Sequence, residues 1–172
     1  MLMSAVTADA KKKQSVWPDG TAMDQWFGDT AKVDVAALGK QYVITDYGVK
    51  NDSALLQTEA IQKVIDTAAA NGGGVVVVPK GTFFTGSLFF RPGTHLHMAE
   101  GSRLKGSDAI THYKIVKTRL EGQTLNYFAA LINANGVDGF TITGRGTIDG
   151  NGKRFYDEFW LRRKVFPKCT NL

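Results

Sequence analysis

Between Gly72 and Gly106 the chain reads GGGVVVVPKGTFFTGSLFFRPGTHLHMAEGSRLKG: two similar strand–turn–strand units, with Gly81 and Gly101 at matching positions twenty residues apart. A related unit, FTITGRGTIDGNG, returns at Phe140. Short β-rich stretches that recur at such a period between glycine turns are the mark of a solenoid. One coil of this kind cannot bury its own apolar side, so each must stack on the next. The expected class is therefore an all-β solenoid.

The elements around the repeat fit that class. Tyr42 to Tyr47 is β-rich and stops at Gly48, which predicts a strand. Ile61, Val64, Ile65 and Ala68 follow the i, i+3, i+4, i+7 rule, which predicts a helix over 59–70 with one apolar face. Ser53 or Thr58 is the expected N-cap, and Gly72 to Gly74 end the helix. Val75 to Val78 has no polar side, as in a strand buried on both faces. One face is expected to meet the solenoid interior and the other to lie under the helix. Further strands are expected at Phe128–Ile132, Phe140–Thr143 and Thr147–Ile148. Ser107 to Tyr127 is more polar and is read as a loop that interrupts the repeat.

Composition narrows the setting. Nineteen Gly against four Pro suit many tight turns. The formal charge is +5, and from Lys153 to Leu172 six Lys and Arg face only Asp157 and Glu158. Such a patch attracts polyanions, although a solvated basic face is an equally good reading. Cys169 is the only cysteine, which excludes an internal disulfide and a cysteine-built metal site. No apolar run reaches the roughly 20 residues of a membrane-spanning helix. Residues 1–10 end in Ala8-Asp9-Ala10, a small-x-small pattern that reads either as the tail of a signal peptide or as an ordinary terminus. Residues 11–41 form a leader with a turn at Pro18-Asp19-Gly20, and the coils occupy residues 42–172.

In order, the chain offers a strand ending in Asp46-Tyr47-Gly48, an amphipathic helix, Gly72-Gly73-Gly74, four valines, Pro79-x-Gly81-Thr82, and GRGTIDGNG from Gly144 to Gly152. This series resembles the N-terminal part of the pectin-degrading glycoside hydrolases of family 28, the polygalacturonases, over roughly Tyr42 to Trp160. The resemblance implies a right-handed single-stranded parallel β-helix with an N-terminal capping α-helix. It also implies inverting hydrolysis of galacturonan or rhamnogalacturonan without metal or other cofactor. The implied partner is an acidic plant cell-wall polysaccharide, with no nucleic acid expected, and the implied location is periplasmic or secreted. In the family the catalytic groups come from Asn-Thr-Asp, Asp-Asp, Gly-His-Gly and Arg-Ile-Lys segments, and none of these sequences occurs here. The expectation is an N-terminal fragment, truncated at its C-terminal end and inactive alone, with no catalytic residue assigned. An uncapped last coil would expose strand edges and invite self-association. Cys169 and the basic tail are expected to be poorly ordered.

Asp149, among Gly144, Gly146, Gly150 and Gly152, is expected to hold the signature turn rather than to act as acid or base. Asp157 and Glu158 are adjacent and do not face one point. His95 and His97 share one side of a strand, but without a convincing third ligand they read as packing. Phe83, Phe84, Phe89 and Phe90 read as core. The four residues that fit a sugar-binding rim are Arg154, Tyr156, Trp160 and Arg162, because rings stack on sugars and guanidinium groups pair with carboxylates; interior packing is the rival reading. Two other functions fit the same scaffold: a non-catalytic β-helical carbohydrate-binding or surface module, and a calcium-dependent pectate lyase or epimerase.

Overall fold

The computed structural model describes residues 15–28 and 33–166. The reading of residues 1–10 and the expectation for Cys169 and its neighbours fall outside the described residues. Contacts divide the chain into two compact units, one up to Val33 and one from Asp34. In the first, Asp19 Oδ1 accepts from Thr21 N at 2.9 Å and from its hydroxyl at 2.7 Å, which closes the turn at Pro18. Phe27 stacks on Trp26 at 3.7 Å and meets Trp17 edge-on at 5.0 Å.

The second unit runs β1 (Gln41–Val43), α1 (Thr58–Ala70), β2 (Gly74–Val78), β3 (Gly81–Thr85), β4 (Leu88–Phe89), β5 (Thr94–Met98) and β6 (Ser102–Gly106). It continues through β7 (Ile115–Leu120), β8 (Gln123–Phe128), β9 (Ile132–Asn133), β10 (Ile142–Gly144), β11 (Thr147–Asp149) and α2 (Lys153–Val165). Successive passes of the chain return to the same three ladders, β1-β2-β5-β10, β3-β6-β11 and β4-β9. Every pair within them is parallel. Val75 pairs with His95, twenty positions on, whereas Thr82 pairs with Arg103, twenty-one positions on. The Ala99–Gly101 turn absorbs the extra residue, with Ser102 N donating to Ala99 O at 3.0 Å.

Alternation along each strand sends every second side chain inward, and parallel register stacks like on like. Tyr42, Val76 and Leu96 form one inward column, each 1% exposed, and Phe83 and Leu104 form another, fully buried. Burying a side chain of this size stabilises the fold by roughly 1.5–3 kcal/mol. Ile61, Val64, Ile65 and Ala68 of α1 enter the same core as Val76 and Val78. This corrects the expected layering: the helix meets the interior side of the valine strand, not its other face. Val75 and Val77 are buried on that other side, where the tight turn Val35–Leu38 lies against β2.

Several local expectations also change. β1 ends at Val43 because Ile44–Tyr47 winds into a 3-10 turn, closed by Gly48 at φ 85°. Neither Ser53 nor Thr58 caps α1: Gln57 holds the cap position with no side-chain cap bond, and the Thr58 hydroxyl accepts from Gly86 N at 2.6 Å instead. At the other end Gly73 N donates to Ala68 O at 2.9 Å, and a Cβ on Gly73 would collide with the Gly93 carbonyl of the next coil. Residues 129–131 are not strand. The supposed loop from Ser107 to Tyr127 contains the antiparallel hairpin β7–β8. Its turn, Glu121-Gly122, has φ 48° and 83°, the mirror-type geometry that matches strand twist. Lys153–Val165, left without an element in the sequence reading, is the helix α2.

The outermost rung should be the softest. Leu96→Ala, in the middle of its column, should cost about 2–5 kcal/mol in denaturant unfolding. Ile148→Ala, on a strand with one open side and 41% exposed, should cost well under half as much as Leu96→Ala. Equal costs would contradict the stacked core.

Candidate functional site

The signature Gly144–Gly152 supplies β11 and the entry to α2. Gly144 sits at φ 97°, and a Cβ there would collide with the Met98 carbonyl; at Gly146 it would meet the Ser102 hydroxyl. These two glycines are therefore required by the close approach of one rung to the next. Gly150 has open space around it, and Gly152 occupies the N-cap position of α2.

Asp149 lies on the outward side of β11, above Lys105 and beside Arg103. Its Oδ1 accepts from Asn151 N at 2.9 Å, and its Oδ2 accepts from both Nε and a terminal nitrogen of Arg103. The Asn151 backbone bond first, and Arg103 second, hold the carboxyl below its ordinary value. The side chain therefore fastens its own turn to the preceding rung. Arg103 was not singled out from the sequence; the parallel pairing of β11 on β6, with Thr147 opposite Arg103, brings it to Asp149.

Asp19, Asp52 and Asp149 are each held below the ordinary carboxyl value, chiefly by a backbone N–H donor. Tyr113 moves up through burial, while its hydroxyl donates to Ser107 O at 2.8 Å.

α2 presents half-buried Phe155 and Phe159 on one side. Phe155 lies 6.0 Å from Phe128 at an interplanar angle of 11°, and 6.3 Å from Tyr113. Tyr156 and Trp160, 68% and 60% exposed, stand one turn apart and share a face. Arg154 and Arg162 each stand two positions from one of these rings, which on a helix turns them away from it. Arg154 is tied to Glu158 at 3.0 Å, and Lys153 to Asp157 at 2.6 Å. The structure thus brings the two rings together and sets the two arginines apart from them. Arg163, one turn beyond Phe159 and 4.9 Å above its ring, is the cation that neighbours Trp160 at i, i+3.

The remaining candidates take structural positions. His97 Nδ1 lies 2.8 Å from the Thr143 hydroxyl of the next rung, and His112 Nδ1 lies 2.7 Å from Ser107 Oγ. No group of three metal-ligating side chains is assembled among the described residues. Phe83 and Phe90 are core, whereas Phe84 and Phe89 lie outward beneath Lys105 and Lys114, each 5.5 Å away. An open groove of about 490 Å³ along the polar side of α1 shares no lining residue with the signature turn or α2. No helix among the described residues is long and apolar enough to cross a membrane.

Parallel ladders revisited by successive coils, with a glycine-bound Asp149 turn between rungs, define a pectin-lyase-like β-helix. A family model described as rhamnogalacturonase A/epimerase, pectate lyase-like, matches residues 42–166, and the chain belongs to that family. It is 35% identical over 147 residues to an exo-poly-alpha-D-galacturonosidase of Dickeya chrysanthemi, covering 81% of this chain and 24% of that protein. A probable polygalacturonase of Vitis vinifera is 26% identical over 125 residues, covering 67% of this chain and 26% of the relative. Among solved structures, a hyperthermoactive exopolygalacturonase from Thermotoga maritima superposes with a TM-score of 0.65 at 26% identity, over 77% of this chain and 30% of its own. A family 28 exopolygalacturonase of Yersinia enterocolitica does so with a TM-score of 0.58 at 31% identity, over 65% and 21%. The chain spans about a quarter of the length of the curated relatives it matches.

A carboxyl group held below its ordinary pKa stabilises the fold above its unfolded pKa and loses that contribution as pH falls through the folded value. Asp149→Asn should therefore lower Tm at pH 7, and the gap to wild type should close as pH drops below the ordinary 3.8. A gap that persists at pH 2 would assign the loss to something other than the ionised carboxylate.

Proposed function

We propose that this chain forms the first coils of a pectin-degrading glycoside hydrolase that cleaves galacturonan or rhamnogalacturonan with inversion. The observation that carries this reading is the family match over residues 42–166, on a scaffold whose rungs superpose on exopolygalacturonases. In this proposal the coil is right-handed, as parallel crossover connections nearly always are. α1 closes its first rung, since its apolar face enters the interior core. Tyr156 and Trp160 supply stacking surface for sugar rings, while Arg154 and Arg162, offered for carboxylates, stand on other sides of α2.

The chain alone is inactive in this reading. Inversion needs one protonated carboxyl group and one ionised partner roughly 6.5–9.5 Å apart. None of the Asn-Thr-Asp, Asp-Asp, Gly-His-Gly or Arg-Ile-Lys segments that supply the family's catalytic groups occurs in this sequence, which supports placing the acid on further coils. Among the described residues β9, β10 and β11 each keep one unpaired edge, and Ile142 is 47% exposed. Such edges favour self-association, and a sedimentation coefficient independent of concentration would count against it. The reading includes a periplasmic or secreted location, since pectic substrate lies outside the cytoplasm and Ala8-Asp9-Ala10 fits a signal-peptide cleavage pattern.

The test compares the chain alone with a chimera in which it replaces the matched segment of the Dickeya relative. The chain alone should release no reducing ends from polygalacturonate, and the folded chimera should release them. Hydrolysis by the chain alone would place the catalytic groups within it. A folded but inert chimera would remove the pectinase reading.

A further inference from the structure

We infer that the solvent face of hairpin β7–β8 and the adjoining side of α2 form one anion-binding surface, and that its occupant is a polyuronate chain. The identity of that occupant rests on the pectic reading above; the surface itself rests on strand parity and on charge.

Parity fixes which side chains share a face. Ile115 stands opposite Phe128, Lys117 opposite Asn126, and Arg119 opposite Thr124, so these six occupy one side of the hairpin. Val116, Thr118, Leu120, Gln123, Leu125 and Tyr127 occupy the other, which is half-buried except at Gln123. Lys117, Arg119, Asn126 and Thr124 are all exposed. α2 is seated on the Lys117 side, because Phe155 stacks against Phe128. Past Phe155, the same side of α2 carries Glu158, Phe159, Arg162 and Arg163 in the following turns, with Glu158 held by Arg154.

Charge bookkeeping singles out the same residues. The two carboxylates of α2 are already paired within the helix, Asp157 with Lys153 and Glu158 with Arg154. Neither Lys117, Arg119, Arg162 nor Arg163 makes an ion pair with any described residue. Four cations on two adjoining surfaces, with no carboxylate between them on the hairpin face, make a strip of positive potential.

Length decides the kind of anion. From Ile115 to Arg119 the strand advances about 13 Å, and from Phe155 to Arg163 the helix advances about 12 Å. A single small anion cannot reach all four cations, whereas a polymer with a carboxylate on every sugar can. Thr124 and Asn126 add a hydroxyl and an amide suited to sugar hydroxyl groups. A single-stranded nucleic acid would lay its bases on exposed rings; those of α2, Tyr156 and Trp160, stand about 100° round the helix from the Phe155 side that meets the hairpin.

The experiment measures binding of the purified full chain to polygalacturonate, to a neutral galactan and to a single-stranded oligonucleotide, at low and at 0.5 M salt. Two double variants, K117S/R119S and R162S/R163S, are compared with K50S/K63S, which removes the same charge from exposed lysines elsewhere. Circular dichroism confirms that each is folded. Wild type should bind polygalacturonate at low salt, lose it at high salt, and be insensitive to monomeric galacturonate. Each site variant should bind about tenfold more weakly, as expected for two surface ion pairs of under about 1 kcal/mol each, and K50S/K63S should stay within about twofold of wild type. If the site variants bind like wild type, or the charge-matched control weakens equally, this surface is overturned while the pectic reading stands. If wild type prefers polygalacturonate no more than galactan, the polyuronate occupant is overturned, and the pectic reading is decided separately by the activity of the chimera. Tighter binding of the oligonucleotide at equal phosphate and carboxylate concentration would overturn the choice of polyuronate.

Discussion

The inward column of Tyr42, Val76 and Leu96 is the interaction on which everything else depends. Each rung alone is a few strand residues and turns, with far too little apolar area to offset the entropy of ordering them. Stacked in register, the same residues become almost wholly buried. Register also fixes the outward side, because a slip of one residue would turn every side chain to the opposite face. The ladder that buries Phe83 on Leu104 therefore also sets Arg103 beside Asp149.

That coupling explains why the glycines cluster where they do. Backbones of neighbouring rungs approach so closely at Gly73 and Gly144 that a methyl group would strike the carbonyl of another coil. The insertion of β7–β8 follows the same economy. It leaves the second coil after β6 and returns at β9, so none of the three ladders is broken. A turn between two faces can lengthen without disturbing the stack, and such turns are where binding surfaces can be added.

Much of this was legible in the sequence. The apolar spacing of α1 and the uniform Val75–Val78 run each admit few solutions, and the GxGTIDGxG turn pointed to the family. What escaped notice depended on partners distant in sequence or on weak local signals. The layering of α1 over the interior side of β2 is a choice that two apolar faces of one strand do not reveal. The hairpin was in principle readable, since Glu121-Gly122 sits between two alternating runs, but its polar residues disguised the period. α2 carried its signal in charge: Lys153 with Asp157 and Arg154 with Glu158 are i, i+4 pairs in a stretch without Gly or Pro. Recognising that helix separates Tyr156 and Trp160 from Arg154 and Arg162, a division invisible when the four are read as a string.

Register is most directly tested by cross-linking. In a Cys169→Ser background, Thr82→Cys paired with Arg103→Cys places two thiols on directly opposed outward positions of adjacent rungs, within the 4.4–6.8 Å Cα separation a disulfide tolerates. Rapid, near-complete oxidation of that pair, with none for Thr82→Cys paired with Leu104→Cys, is the predicted result. Efficient bridging to position 104, or to neither, would mean that the coils do not stack as parallel rungs in this register.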